Sequence, residues 1–476
     1  MDHVRKVVLP PDREPKYLGI FTKEKAFYRA FIPLLIIISL QHLAALMVNM
    51  VDNLMLGSYT ELALSGATLV NQIHFVMQEL CSGIGMGIVV LASQYWGQQR
   101  IEPIKKIISM GIKMAFVVGL VFFLLSQFAP MPLMHFFTND AAVAAEGAKY
   151  LAVIGWTYLI FSISNSLMYS LQSVQTAAIG TVMSCSTICI NLVLNYCLIF
   201  GHFGFPELGI VGAAVATLVS RSVELVIILV YVLFIDKKLH MKLIELLRFD
   251  TTYLKDFLRV AMPVTLSAFL WGIAQAAQSA VLGHISATTI AANSIAVVIA
   301  NVFAVFGMSN AGAASIIMGK TVGEGRFHVI RAYSKTMQGI FLIIGVCTGV
   351  LLFLFKDLIV GFYAVSPETK ALATSFLIVL SVTTVGSCYE FPCESGIIAG
   401  GGTTKYAPLV DNLFMWLWTI PASAISAFVF HVPPVVTFMI LKSDQLFKCI
   451  PNSIVTNRYR WVRILTKDDP PEAEQT

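Results

Sequence analysis

The sequence predicts an all-α polytopic membrane protein, with twelve transmembrane helices in two pseudo-symmetric six-helix lobes. Three observations lead there. Of 476 residues, 57% are hydrophobic and only 12% charged, with mean hydropathy +0.78, whereas a soluble domain carries about 25% charged residues. The apolar runs are continuous, unlike the short alternating segments of a β-barrel, so they span as helices that satisfy their own backbone in lipid. Finally, the second half of the chain repeats the first.

The elements follow in order. Residues 1–26 are polar and mixed in charge, with Pro10, Pro11 and Pro15. The apolar run after them is too long for a signal peptide and has no small-residue cleavage site, so 1–26 reads as a cytoplasmic tail. Runs long enough to cross a bilayer are expected at about 28–56, 61–92, 104–127, 148–170, 178–200 and 208–235, then at 257–282, 287–318, 332–355, 370–398, 405–430 and 432–450. The divisions are an N-terminal lobe at 27–235, a cytoplasmic linker at 236–256, a C-terminal lobe at 257–450 and a C-terminal tail at 451–476. The last span is the weakest, because its apolar part ends at Leu441 before Lys442, Ser443 and Asp444. The linker carries an amphipathic piece (Leu239, Leu243, Leu246, Leu247) expected on the membrane surface.

Charge sets the orientation. All of the 32 Lys and Arg except Lys113, Lys149, Arg221, Lys356 and Lys370 fall on one side of this map. That side holds both termini, which the positive-inside rule places in the cytoplasm. The net charge of +5 is spread over loops and tails and forms no nucleic-acid patch. The eight cysteines lie mostly in apolar runs without metal-ligand spacing and read as small core residues, not disulfides.

The repeat is visible by eye. A shift of 226 residues lays MLGSYTELALSGATLV (55–70) on VLGHISATTIAANSIA (281–296), and SQYWGQQR (93–100) on GKTVGEGR (319–326). Gly57 meets Gly283, Gly97 meets Gly323 and Arg100 meets Arg326. Pro33 and Pro263 correspond with four residues' difference in spacing. Two parallel halves enclosing a central site are a transporter architecture.

Asp52 is the charge that stands out. It lies in MVNMVDNLMLG (47–57), inside an apolar run that begins near Phe31. An intramembrane acid is costly and marks a functional site by default, here a proton or cation site. The alternative is an acid near the outer interface, solvated or paired, since the span ends close by at Gly57.

With these motifs in view, the chain resembles the multidrug and toxic compound extrusion (MATE) family. NLVLNYCLIFGHFGFPELGIVGAAVATLVSRSVE (191–224) resembles that family's fifth and sixth helices. The duplicated MLG…WGQQR and VLG…VGEGR pattern and the turn GIIAGGGTTKYAPLVD (396–411) are similar to family motifs too. The closing WVRILT (461–466) resembles a tail common in Firmicutes members. The resemblance runs from Phe31 to Thr466. It implies two lobes in a V around a cavity that opens alternately to either side. It also implies efflux of organic, often cationic compounds, driven by entry of H+ or Na+, with no other cofactor. Asp52 matches the family's coupling acid on the first helix. Asn191, Asn195 and Thr217 match polar positions near that acid.

The residues themselves support this reading. Asn191 and Asn195 are four apart and share a helix face, and each amide offers an acceptor and two donors. Such a face can bind a cation with a carboxylate, or it can hold helices together by interhelical hydrogen bonds. Gln41 lies on nearly the same face as Asp52, with Asn49 a turn away; for Gln41 the adhesive role is favoured. A carboxylate in a low-dielectric cavity takes a proton more readily than in water. Competition between proton or sodium and a cationic substrate for one charge would couple entry to exit.

The C-terminal half departs from the family. Ser267 and Ala268 stand where Asn-Glu is common, and the repeat partner of Asp52 is Gln278. At the tenth-helix turn, where members often read R-A-G-G-D-T, Ala399 to Thr404 carry no charge. This half does contain Glu390 and Glu394, one turn apart, and Asp411. With Gln278 they form a candidate substrate or second cation site, or else an interfacial pair facing water. Arg221 with Glu224, and Glu79 with Lys113, read as structural pairs. The Gly83-x-x-x-Gly87 and Gly396-x-x-x-Gly400 patterns read as close helix packing.

The function expected is antiport of small hydrophobic or cationic organic compounds across the cell membrane by a monomer. A lipid-linked precursor flippase of the same superfamily would want several cavity Lys or Arg, and only Lys113 and Arg221 are available within spans. A non-pumping channel or receptor is disfavoured by the repeated halves and the buried acid. An enzyme is the least expected class, since the sequence shows no nucleophile triad, no His/Cys metal cluster and no phosphate-binding glycine loop.

Overall fold

The computed structural model describes residues 5–7, 9, 21–138, 140–247, 250–361, 363 and 365–467. Most of the polar N-terminal stretch with Pro10, Pro11 and Pro15, the tail from 468, and Arg248 of the linker lie outside the described residues. The described chain is almost wholly helical. In order come α1 (Lys25–Tyr59), α2 (Glu61–Gly97), α3 (Ile101–Phe128), α4 (Pro130–Phe137), α5 (Ala141–Ser173), α6 (Ala178–Phe200) and α7 (Ile210–Val230). Then follow α8 (Leu243–Leu247), α9 (Leu254–Gly283), α10 (Ala287–Gly323), α11 (Phe327–Gly361), α12 (Pro367–Phe391), α13 (Tyr406–Phe414), α14 (Ile420–Phe428), α15 (Pro434–Lys442), α16 (Asp444–Phe447) and α17 (Cys449–Arg458). Two short strands, β1 (Arg5–Lys6) and β2 (Arg463–Ile464), pair antiparallel.

Ten of these helices are long and apolar enough to cross a membrane by length and composition: α1–α3, α5–α7 and α9–α12. Two further rods bring the number of membrane-length paths to twelve. In one, α13 and α14 are joined by a π-helical segment, Met415–Thr419. In the other, α15, α16 and α17 follow each other through Ser443 and Lys448, which keep helical backbone angles. The twelfth path thus runs to Arg458, beyond the expected end at 450. Its charged residues do not end the helix, because they find partners inside the protein.

The membrane-length helices carry exposed apolar faces: on α1, Leu54 is 74% exposed, whereas the acid Asp52 is 8% exposed, facing the protein interior as a charge in a span does. The eight cysteines are free. Cys81, Cys197, Cys388 and Cys393 are buried as expected of core residues, but Cys185, Cys189 and Cys347 lie on exposed helix faces.

The chain divides into two compact units. One comprises 36–88 and 101–269; the other comprises 1–35, 89–100 and 270–476. The division therefore cuts α1, α2 and α9 and does not coincide with breaks at 235 and 257.

In the first unit, α2 lies close against α9. A Cβ at Gly83 would stand 2.7 Å from Thr265 Cα, and one at Gly87 2.5 Å from Ala261 Cβ. Only glycine permits that approach. The linker packs on α3, with Ser109 Oγ donating to Leu246 O at 3.0 Å. Leu239 and Leu246 are buried while Leu243 and Ile244 face outward. Lys105 pairs with Glu245 at 3.1 Å and Lys106 with Asp250 at 2.8 Å.

In the second unit, the end of α2 meets the end of α10 at positions the repeat superposes. A Cβ on Gly97 would collide with the backbone of Lys320 and Gly323, and one on Gly323 with Gln94; Ser93 lies against Gly319. Repeat-equivalent residues thus lie against one another within this unit. The matched arginines each hold a chain end: Arg326 pairs with Glu24 at 2.6 Å, and Arg100 donates to the Lys467 carbonyl. The WVRILT segment is clasped here. Thr403 Oγ1 donates to Trp461 O (2.7 Å), Arg463 N–H to Gly401 O (2.8 Å) and Gln94 Nε2 to Arg463 O (3.0 Å). Leu465 N–H returns to Gln94 Oε1 (2.8 Å) and Lys467 N–H to Tyr95 Oη (2.9 Å).

Candidate functional site

Four residues predicted from sequence meet in the first unit. Asp52 projects from α1, Asn191 and Asn195 from successive turns of α6, and Thr217 from α7. Asn195 Nδ2 donates to Asp52 Oδ1 and, at 3.0 Å, to Asn191 Oδ1. Asn191 Nδ2 donates to Thr217 Oγ1 at 3.2 Å, and Thr217 Oγ1 donates to Asp52 Oδ2 at 3.5 Å. The hydrogen bonds close a ring of four side chains from three helices. Asp52, Asn191 and Asn195 are buried, so Asp52 is not the solvated interfacial acid of the alternative reading.

The ring is rich in acceptors. Asn195 Oδ1 is buried without a hydrogen-bond partner. With the Asp52 carboxylate, Asn191 Oδ1 and Thr217 Oγ1, it gives a concentration of oxygens that suits a hard monovalent cation or a shared proton.

Neighbouring polar residues serve the scaffold. Gln41 donates to Ala177 O at 2.8 Å and accepts from Gln172 Nε2 at 2.9 Å, so it joins helices instead of facing Asp52. Asn49 is exposed. Arg221 pairs with Glu224 at 2.8 Å and lies over the Phe161 ring at 5.1 Å. Ser164 and Thr187 donate to the two Glu224 oxygens. A buried ion pair with its remaining lone pairs satisfied is a structural device.

The second unit holds the other candidates, and it rearranges them. Glu390, Glu394 and Asp411 converge, each with an oxygen within 4.8 Å of the others. Pro392 explains the placement: lacking an N–H, it breaks the α-helical ladder, and α12 continues as a π-helical segment, Pro392–Ile398. Gly396 and Gly400 bring that segment against Ala311 and Ser315 of α10. Gln278 does not join the acids. Its amide oxygen accepts from Lys442 at 3.2 Å, and its nitrogen contacts Met415 Sδ.

Three members of this cluster were missed in the sequence. Lys448 Nζ lies 2.7 Å from Asp411, 3.3 Å from Glu390 and 3.5 Å from Asp444. Asn452 Nδ2 donates to Glu394 Oε2 at 2.8 Å, and its Oδ1 accepts from Tyr406 Oη at 2.9 Å. The count by charge put Lys442 and Lys448 in the cytoplasm; the structure buries Lys448 and carries both in the twelfth helical path. The signal was there: Asp444, Lys448 and Asn452 recur every four residues and share one helix face.

The comparisons agree with this architecture. The MatE family model matches residues 38–197 and 263–428. The Probable multidrug resistance protein NorM of Bacillus cereus is 26% identical over 413 residues, covering 85% of this chain and 88% of the relative. That of Listeria monocytogenes is 26% identical over 406 residues, covering 84% and 87%. A crystal structure of a MATE in complex with MaL6 superposes with TM-score 0.81 at 19% identity, covering 91% of this chain and 96% of that one. The eukaryotic MATE transporter AtDTX14 gives TM-score 0.80 at 18% identity, covering 93% and 98%. Matched by the family model in both of its halves, the chain belongs to the MatE family and is a membrane transporter, not an enzyme.

Proposed function

We infer that this transporter is a secondary active antiporter of the cell membrane. It exports hydrophobic or cationic organic compounds by alternating access of two lobes, in exchange for H+ or Na+. The observation that carries the reading is the closed ring of Asp52, Asn191, Asn195 and Thr217. One buried negative charge, held by donors that can reorganise, gives an incoming cation and an outgoing cationic substrate something to compete for. The resistance names of the NorM relatives support the substrate class. The pairing of β1 with β2 supports both termini lying on one side, and the basic loops place that side in the cytoplasm.

The flippase reading gains Lys442 and Lys448 in the twelfth helical path but no free positive charge from them. Three carboxylates surround Lys448, and Lys442 bonds Gln278.

The deciding experiment is efflux of a fluorescent cationic dye from proteoliposomes under separately imposed pH and Na+ gradients, wild type against Asp52→Asn. The amide keeps the shape and one acceptor but carries no charge. Gradient-driven efflux in the wild type and its loss in the variant are expected, and the effective gradient names the ion. Equal pumping by both proteins would remove Asp52 from the mechanism.

A further inference from the structure

On the outer surface of the second unit, α11 and α17 meet in a groove rimmed by positive charge. Gln338 and Asn457 exchange amide hydrogen bonds across it at 3.3 and 3.2 Å. Two turns nearer the start of α11, the Arg331 guanidinium lies over the Tyr459 ring at 5.4 Å. These two contacts bracket Lys335 on α11 and Arg458 at the end of α17, and both of those residues are exposed. Among the described residues no carboxylate pairs with Lys335 or Arg458. Glu24 and Glu324 bond Arg326, while Glu390, Asp411 and Asp444 bond Lys448. Basic side chains gathered at one place without an acid repel one another, so an anion among them is favoured.

The surroundings say which anion. Each helix leads from its basic residue into an exposed apolar stripe. On α11, Lys335 shares a face with Leu342 and Val346; on α17, Arg458 shares one with Ile454 and Ile450. All four apolar residues are exposed, as on a surface that meets acyl chains. Long basic side chains at the end of such a stripe reach the headgroup level. A soluble anion would meet the cations and leave the stripes unused, whereas a lipid with a negative headgroup uses both. This end of the two helices lies on the side that the basic loops mark as cytoplasmic, where anionic lipid and basic pockets between spans go together.

We propose that the groove between α11 and α17 is a binding site for one anionic glycerophospholipid, with its phosphate held by Arg331, Lys335 and Arg458 and its acyl chains lying along the two stripes. The arginine forks suit phosphate oxygens, and the lysine adds a compact point charge. The inference stands apart from the export reading, since it concerns lipid binding and not the ion or substrate that the protein moves.

The test uses purified full-length protein in detergent and native mass spectrometry, which resolves single bound lipids. Phosphatidylglycerol is titrated against phosphatidylcholine with the same chains. The parent is expected to prefer phosphatidylglycerol. Lys335→Gln and Arg458→Gln should each weaken that lipid about fivefold, and the two together about 25-fold, with phosphatidylcholine binding unchanged. Lys335→Arg keeps the charge and should keep the affinity. Lys255→Gln removes one exposed charge from the other unit and should change nothing. Glycerol phosphate, which has the headgroup chemistry without the chains, should leave the lipid bound even in large excess. Phosphatidylglycerol affinity within twofold of the parent in the double variant would overturn the proposal. So would an equal loss in Lys255→Gln, or displacement of the lipid by glycerol phosphate, which would make the site one for a soluble phosphate.

Discussion

Trp461 should govern whether the C-terminal segment stays clasped. Its ring is 2% exposed and covers Gly401, where an added Cβ would collide with it. Its Nε1 donates to Thr456 O at 2.8 Å. Trp461→Ala removes that contact and leaves a cavity, a change that costs about 3–5 kcal/mol at a buried site. The rest of the clasp consists of hydrogen bonds worth about 0.5–1.5 kcal/mol each, net of water, so the ring is the largest single contribution. At about 1.4 kcal/mol per tenfold, local opening should become roughly 150-fold to a few thousandfold more frequent. Amide hydrogen exchange reads this directly. The Arg463 and Leu465 amides, bound to Gly401 O and Gln94 Oε1, should lose protection by that factor, while amides in the middle of α2 keep theirs. Trp461→Phe should retain most of the protection. Protection within threefold of wild type in Trp461→Ala would refute the assignment of the ring as the anchor.

Other perturbations have clear expected outcomes. Thr217→Val removes the donor to Asp52 and the acceptor for Asn191, each hydrogen bond worth about 0.5–1.5 kcal/mol; the initial rate of dye efflux should fall about tenfold, with expression unchanged. Gly87→Leu places a side chain where Ala261 already stands; overpacking costs about 1–3 kcal/mol or more, and size-exclusion profiles should show aggregation or lost yield. At Glu24, burial opposes ionisation, but hydrogen bonds from Tyr333 and Arg326 and the Arg326 charge together hold the carboxyl below its ordinary value. A lowered value means that the stabilisation is fully present above the ordinary carboxylate range and is lost as pH falls through the lowered value. Exchange of the Thr22 amide, which donates to Thr336 Oγ1, should therefore accelerate under acid in the wild type relative to Glu24→Gln at the same pH. Identical pH profiles for the two proteins would count against the Glu24–Arg326 tie.

The membrane class, eleven of the twelve helical paths and the residues that meet around Asp52 were all readable from the amino-acid order. Asp52 was legible because a charge in an apolar run is conspicuous. Asn191 and Asn195 were legible because the helical period puts them on one face, and the family resemblance added Thr217. The repeat located Gly97 and Gly323, and also Ser93 and Gly319, without showing that these equivalent pairs touch. Helix packing added Lys448, Asp444 and Asn452 to the second cluster and took Gln278 out of it. Hydropathy scores each residue as if it met lipid or water alone, so Lys442, Ser443 and Asp444 looked like the end of an apolar run. Lys448 is at home inside because α12 and α13 bring Glu390 and Asp411 to it and a proline-induced π segment turns Glu394 toward the same point. Gln278 shows the reverse: the repeat made it the counterpart of Asp52, but its surroundings gave it Lys442 as a partner. A charge is tolerated in a membrane protein according to what faces it, and what faces it is set by helix packing.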